Sequence, residues 1–125
     1  MPRTRHLCWL PALGWAGLLF FLSSQPASDL PGPWFLSNDK LNHAVAFGIL
    51  AACAAFAFRL GHLWHMPRAA WGAVLVTALY GLSDEIHQHF TYSRTPDVRD
   101  WLADLSGALM VAALLLLWHR RRHRI

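Results

Sequence analysis

Four apolar runs separated by short polar segments organise this chain. Residues 7–22 carry no charge, 41–58 have His43 as their one acidic or basic member, 69–83 carry no charge either, and 101–118 are broken only by Asp104. Each run holds 15 to 18 residues, a little short of the roughly 20 needed to cross the hydrocarbon core as a helix. Polar helix ends make up the difference, so the pattern predicts spans over about 7–24, 41–58, 69–88 and 100–118. Helices of a soluble bundle would show a polar face every 3.6 residues. The stretches AVAFGILAACAAFAF (44–58) and LSGALMVAALLLL (105–117) have almost none. The expected fold is therefore all-α, a four-helix transmembrane bundle forming a single domain over 1–125.

Composition and charge sharpen this picture. Hydrophobic residues make up 55 % of the chain and charged ones only 14 %, where about a quarter is usual for a soluble domain. Seven Trp suit membrane interfaces, where indole rings settle at headgroup level. The net charge of +4 does not point to nucleic acid, because the basic residues flank apolar runs. Arg3 and Arg5 precede the first run, Arg59, His62, His65 and Arg68 separate the second from the third, and HRRRHR (119–124) follows the fourth. The positive-inside rule then places both termini and the middle loop in the cytoplasm, in the inner membrane if the source is bacterial. The first run reads as a retained span, since its apolar region is long for a signal peptide and Gln25 and Pro26 sit badly in a cleavage site. Cys8 and Cys53 lie inside apolar runs and read as small hydrophobes, not as a disulfide or a zinc site.

The polar residues of the other face form the candidate site. Asp39, His43 and Phe47 recur at i, i+4 and share a helix face, flanked by Lys40. Tyr80, Asp84 and Gln88 make a second row, with Glu85, His87 and His89 beside it. Asp100, Asp104 and Gly107 make a third, preceded by Asp97. All three rows fall at the outward ends of their helices. Ionisable residues at membrane depth mark functional sites by default. Packed carboxylates raise one another's pKa and can act as acid and base, which makes Asp84, Glu85, Asp100 and Asp104 the catalytic candidates if there is catalysis. Arg94 and Arg99 can hold a phosphate or carboxylate in bidentate fashion. His43, Asp84, Glu85 and His87 are metal-ligand types, but no HExxH-like spacing is present, and no metal or cofactor is expected. Blander roles stand beside these: Asp39, Ser37 or Asn38 as cap of the second helix and Asp100 of the fourth, Arg94 paired with Asp84 or Asp100, and His87 and His89 as solvated loop residues.

The motifs SSQP (23–26), DKLNHAVAFGIL (39–50), YGLSDEIHQ (80–88) and R-x5-D-x3-D-x2-G (94–107) resemble those of the VanZ-like family of small bacterial membrane proteins, over roughly residues 18–114. Asp104 stands where many members have Asn, which adds a negative charge. The resemblance implies a small helical membrane bundle and a site built from Asp39, Lys40, His43, Asp84, Glu85, Gln88, Arg94, Asp100, Asp104 and Gly107. It also implies a link to the cell envelope, since the founding member is associated with resistance to the glycopeptide teicoplanin.

Three functions fit these residues. The first is a binding protein of the envelope whose outer-leaflet pocket, with Tyr80 among its lining residues, holds a lipid headgroup or a lipid-linked cell-wall precursor. The second is an enzyme acting on a lipid phosphate. Ser93, Arg94, Asp100 and Asp104 are similar to the SR-x5-H-x3-D motif of type 2 phosphatidic acid phosphatases, with Asp100 in place of the nucleophilic His; an Asp can carry a phosphoryl group. The other motifs of those phosphatases are absent. The third is a proton- or ion-coupled transporter relaying protons through His43, Asp84 and Asp104. Gly48, Gly72, Gly81 and Gly107 allow close helix contacts within the bundle or between copies, so a homo-oligomer stays open.

Overall fold

The computed structural model describes residues 4–24, 39–90 and 98–124. A 3-10 turn, Arg5–Trp9, leads into α1, Leu10–Ser24. Helix α2, Asp39–Phe56, runs on as a π-helical turn, Ala57–Gly61. Helix α3 covers Met66–His89 and α4 covers Val98–Arg122. No strand occurs among the described residues. The four predicted spans are thus four helices, each reaching further than its apolar run because polar end residues continue the helical hydrogen bonding. Three segments, Arg5–Ser23, Lys40–Gly61 and Val98–Arg122, are long and apolar enough to cross a membrane. Helix α3 is long enough but carries Asp84, Glu85, His87, Gln88 and His89 in its last turns.

The packing is inside-out relative to a soluble protein. The core is made mostly of small residues: Ala51, Ala54, Ala55, Ala57, Ala69, Ala70, Ala73, Ala108 and Ala112 are all buried, beside Phe47, Leu50, Met66 and Val74. The largest fully buried side chains are polar, Thr77 and Asp104. Leu13, Phe21, Leu75, Met110 and Leu114 lie on the outside, each around 60 % exposed. Such a surface is far more apolar than a soluble monomer tolerates, whereas lipid covers it at no cost. With lipid tails as apolar as leucine, helices associate through close van der Waals fit, which small residues permit.

Helices α2, α3 and α4 form the tight unit. Lys40 meets Asp100 and His43 meets Asp104, so α2 and α4 run in the same direction. Helix α3 runs against both, with Tyr80 beside Phe47 and the Trp101 indole donating to the Ala78 carbonyl at 2.9 Å. The four glycines singled out by sequence all serve contacts inside the chain. A Cβ on Gly107 would lie 2.0 Å from the Ala44 carbonyl oxygen, one on Gly48 3.4 Å from the Gly107 oxygen, one on Gly81 3.0 Å from Asp104 Oδ2, and one on Gly72 2.8 Å from the Trp64 ring. Helix α1 leans on α2 and α3 through polar ties. Trp15 donates to the Ala46 carbonyl at 2.7 Å and the Tyr80 hydroxyl donates to the Ala16 carbonyl. Gln88 donates to Ser23 Oγ at 3.3 Å.

The two ends of the bundle differ in chemistry. At the end holding the α1 start and the α2–α3 turn, Trp64 stacks on Phe58 at 4.2 Å and Arg68 sits 4.1 Å above the Trp64 ring. Trp9 donates to His62 at 3.0 Å, and Leu63 makes the turn with φ of 57°. This is the mixture of indoles and cations that settles at headgroup level. A cleft of about 200 Å³ lined by Arg5, Cys8, Leu60 and Leu63 opens there, far along the bundle from the carboxyls. Cys8 and Cys53 are free and half-buried.

Candidate functional site

The opposite end, where α2 and α4 begin and α3 finishes, gathers the acids. On α4, Asp100 and Asp104 are one turn apart and point to the same side. Lys40 Nζ is paired with Asp100 Oδ1. His43, one turn along α2, bridges the two acids: Nδ1 lies 2.8 Å from Asp104 Oδ1 and Nε2 lies 3.9 Å from Asp100 Oδ2. From α3, Asp84 and Glu85 are buried and close enough to Asp104 to act on its carboxyl electrostatically. The result is a chain Lys40–Asp100–His43–Asp104 running from the surface inward. Lys40's side chain is 45 % exposed, those of Asp100 and His43 are 11 % and 14 %, and Asp104 is fully enclosed.

Asp104 Oδ2 has no hydrogen-bond partner, and one turn of α3 beyond Gly81 the enclosed hydroxyl of Thr77 has none either. Orphaned buried polar atoms are rare and each calls for a cause. Gly81 gives Asp104 its room: a side chain there would press on Oδ2 and on the Trp101 ring.

Most of the expected site residues converge. Lys40, His43, Asp100 and Asp104 are in direct contact, and Asp84 and Glu85 flank them. Gln88 is buried but turns to α1, donating to Ser23. Tyr80 likewise spends its hydroxyl on α1. Asp39 opens α2, with its side chain outside the described residues, as is Arg94 entirely. Asp100 is not the cap of α4: the helix begins at Val98, and the carboxyl of Asp100 turns back to α2 because a cation waits there. His87 and His89 belong to the last turn of α3, not to a loop. His87 stacks on Phe20 at 4.5 Å and lies 2.8 Å from Ser24 Oγ, so it fastens α1. Sequence reading passed over Ser23 and Ser24 as partners of α3, and Thr77 altogether. The signal for the serines was their place at the outer end of the first run, level with Gln88. Among the described residues, no group of three His, Cys, Asp or Glu side chains is placed to hold a metal ion.

Charge is divided along the bundle axis. Among the described side chains, Asp84, Glu85, Asp100 and Asp104 fall at the site end against Lys40 and Arg99, a formal −2. By sequence, eight basic residues and no acid flank the apolar runs at their other ends, a formal +8.

These features define a class, a compact four-helix membrane protein with an acidic polar cluster buried at one end of an alanine-lined core. The chain belongs to the VanZ/LLP1 family, whose sequence profile matches residues 8–119. An uncharacterised protein of the fission yeast Schizosaccharomyces pombe is 32 % identical to it over 103 residues, which is 82 % of this chain and 58 % of the relative. The chain thus spans little more than half the length of that relative. No solved structure matches it.

Proposed function

We propose that the cluster around Asp100 and Asp104 is a binding site for the polar headgroup of a membrane phospholipid. The observation that carries this reading is the inward chain Lys40–Asp100–His43–Asp104, ending on a fully enclosed carboxyl with one oxygen unpartnered. A bundle that needed only stability would gain more from apolar residues at these positions, because desolvating ions costs more than their pairing commonly returns. The site lies at a helix end, which in this reading is the depth of lipid headgroups, and the leucine-rich exterior brings lipid to it. Helices α2 and α4 both begin there, so two positive helix ends join Lys40 and the exposed Arg99 in favouring a phosphate. Arg94 is assigned to the same phosphate from its place in the motif.

In this reading the site faces the outer leaflet, with the +8 end and both termini in the cytoplasm. Reporter fusions test that: a cytoplasmic reporter at the C-terminus is active, and an active periplasmic reporter there inverts the account. A lipid-linked cell-wall precursor presents a similar phosphate-bearing headgroup and would connect the site to teicoplanin resistance. The fission-yeast relative favours a ligand common to bacterial and eukaryotic membranes, hence a phospholipid.

The test is lipid retention by purified protein. Asp100→Asn keeps the shape of the side chain and removes the charge that the headgroup's own donors meet once Lys40 turns to the phosphate; retained phospholipid is expected to fall about tenfold, the worth of one charge-assisted hydrogen bond. Unchanged retention in a folded variant counts against the site. A second reading, hydrolysis of a lipid phosphate, draws on His43 lying between two carboxyls, where an imidazole can take up a proton. Absence of phosphate release from lipid phosphates, with and without divalent metal, removes it.

A further inference from the structure

We propose that the headgroup carries a primary ammonium, that is, that the ligand is an aminophospholipid of the phosphatidylethanolamine type, bound by exchange with Lys40. The inference rests on the headgroup reading above and narrows it to one chemical class.

Two observations point to an amine. The described side chains at the site end, Asp84, Glu85, Asp100 and Asp104 against Lys40 and Arg99, bear a formal −2, so a purely anionic headgroup would enter against the local charge. In addition, Asp100 already holds a primary ammonium, the protein's own Lys40. The two partners of that bond are unequal. Lys40's side chain is 45 % exposed and sits on a flexible four-carbon stem, so it can swing outward into the headgroup layer. Asp100's is 11 % exposed and is fixed on the first turn of α4. The amine is therefore the exchangeable half of the pair.

A lipid ethanolamine presents the same –NH3⁺ group as lysine. Taking Lys40's place, it conserves the charge and the hydrogen bond at Asp100. It brings three donors to the Asp100 carboxylate, as the lysine does. The phosphate of the same lipid, joined to the bound amine through two carbons and an ester oxygen, then lies near the mouth, where the displaced Lys40 ammonium and the α2 and α4 N-termini can meet it. One headgroup thus satisfies both signs of charge at the site. A quaternary choline has the same charge and no N–H donor, so it cannot replace Lys40 at Asp100 in hydrogen-bonding terms.

The experiment uses the full chain in mixed micelles, read by native mass spectrometry. The probes are phosphatidylethanolamine, its N-methyl and N,N-dimethyl derivatives, phosphatidylcholine and phosphatidylglycerol, all with the same acyl chains. The methylation series holds charge constant while donors fall stepwise. Retention is expected to fall along it, with phosphatidylethanolamine favoured over phosphatidylcholine and over phosphatidylglycerol by about tenfold or more. Equal retention of the ethanolamine and choline lipids, or a preference for phosphatidylglycerol, overturns the amine inference; if that retention still falls in Asp100→Asn, the headgroup reading survives. Retention of every lipid unchanged in Asp100→Asn overturns both. Should that variant fail to fold, the series on the unaltered protein decides the amine inference by itself. Soluble phosphoethanolamine is expected to leave the lipid in place; displacement of the lipid by it would make the ligand a soluble amine and overturn the proposal.

Discussion

Gly107→Ala is expected to destabilise the bundle by about 3 kcal/mol or more, at the upper end of what overpacking causes. The added methyl would lie 2.0 Å from the Ala44 carbonyl oxygen and 2.8 Å from its carbon. Neither atom belongs to a flexible side chain, so α2 and α4 must part by roughly 1 Å to restore contact distance. That separation cannot stay local. Ala44 follows His43, and Gly107 stands one turn from Asp104, so the same movement pulls His43 away from the enclosed carboxyl it serves at 2.8 Å. The helix crossing and the polar chain are one construction. Thermal unfolding in detergent measures the loss. Gly17→Ala is the control: nothing lies within 4 Å of a Cβ there, and an alanine in an exposed helix position is neutral or mildly stabilising. Equal stability of Gly107→Ala and the unaltered protein would mean that α2 and α4 do not cross at this point.

His43→Leu is the second large effect. Asp104 is fully enclosed and His43 is the partner of its Oδ1. Removing one member of a buried pair strands the other and costs about 3–5 kcal/mol, with no water at hand to compensate. Combining His43→Leu with Asp104→Leu removes both polar groups, and apolar replacement of a buried pair is commonly neutral or stabilising. The double variant is therefore expected to recover most of the stability lost in the single one and to retain less headgroup. Recovery of stability together with full lipid retention would separate Asp104 from the site. A double variant as unstable as the single one would show that the pair is needed for folding.

Much of this was legible in the sequence because a membrane leaves the chain few choices. Runs such as 44–58 and 105–117 have no polar face, so helices spanning lipid are the one arrangement that satisfies their backbone. The four helices, three of them long and apolar enough to span, and the meeting of His43, Asp84, Glu85, Asp100 and Asp104 follow from apolar length and from i, i+4 spacing; the family motif added Lys40. What spacing does not encode is which helix each polar group faces. Tyr80 and Gln88 share a row with Asp84, yet both turn to α1, because the α1 carbonyl of Ala16 and the hydroxyl of Ser23 lie on that side. Asp100 has the residue type of a helix cap, yet it lies in the first turn of α4 and pairs with Lys40 on the parallel helix. The glycines were ambiguous for a similar reason: the residue states that a close contact is allowed, and the tertiary fold supplies the atom that makes it.

A lipid headgroup is proposed to occupy the end of the bundle where α2 and α4 begin. A cryo-electron microscopy map of the full chain in lipid nanodiscs tests this most directly. The predicted result is headgroup density within hydrogen-bond distance of Asp100, continuous with acyl density on the apolar exterior, and Lys40 turned toward the phosphate. A map with Lys40 still on Asp100, the cluster closed around Asp104, and lipid confined to the acyl shell would contradict it.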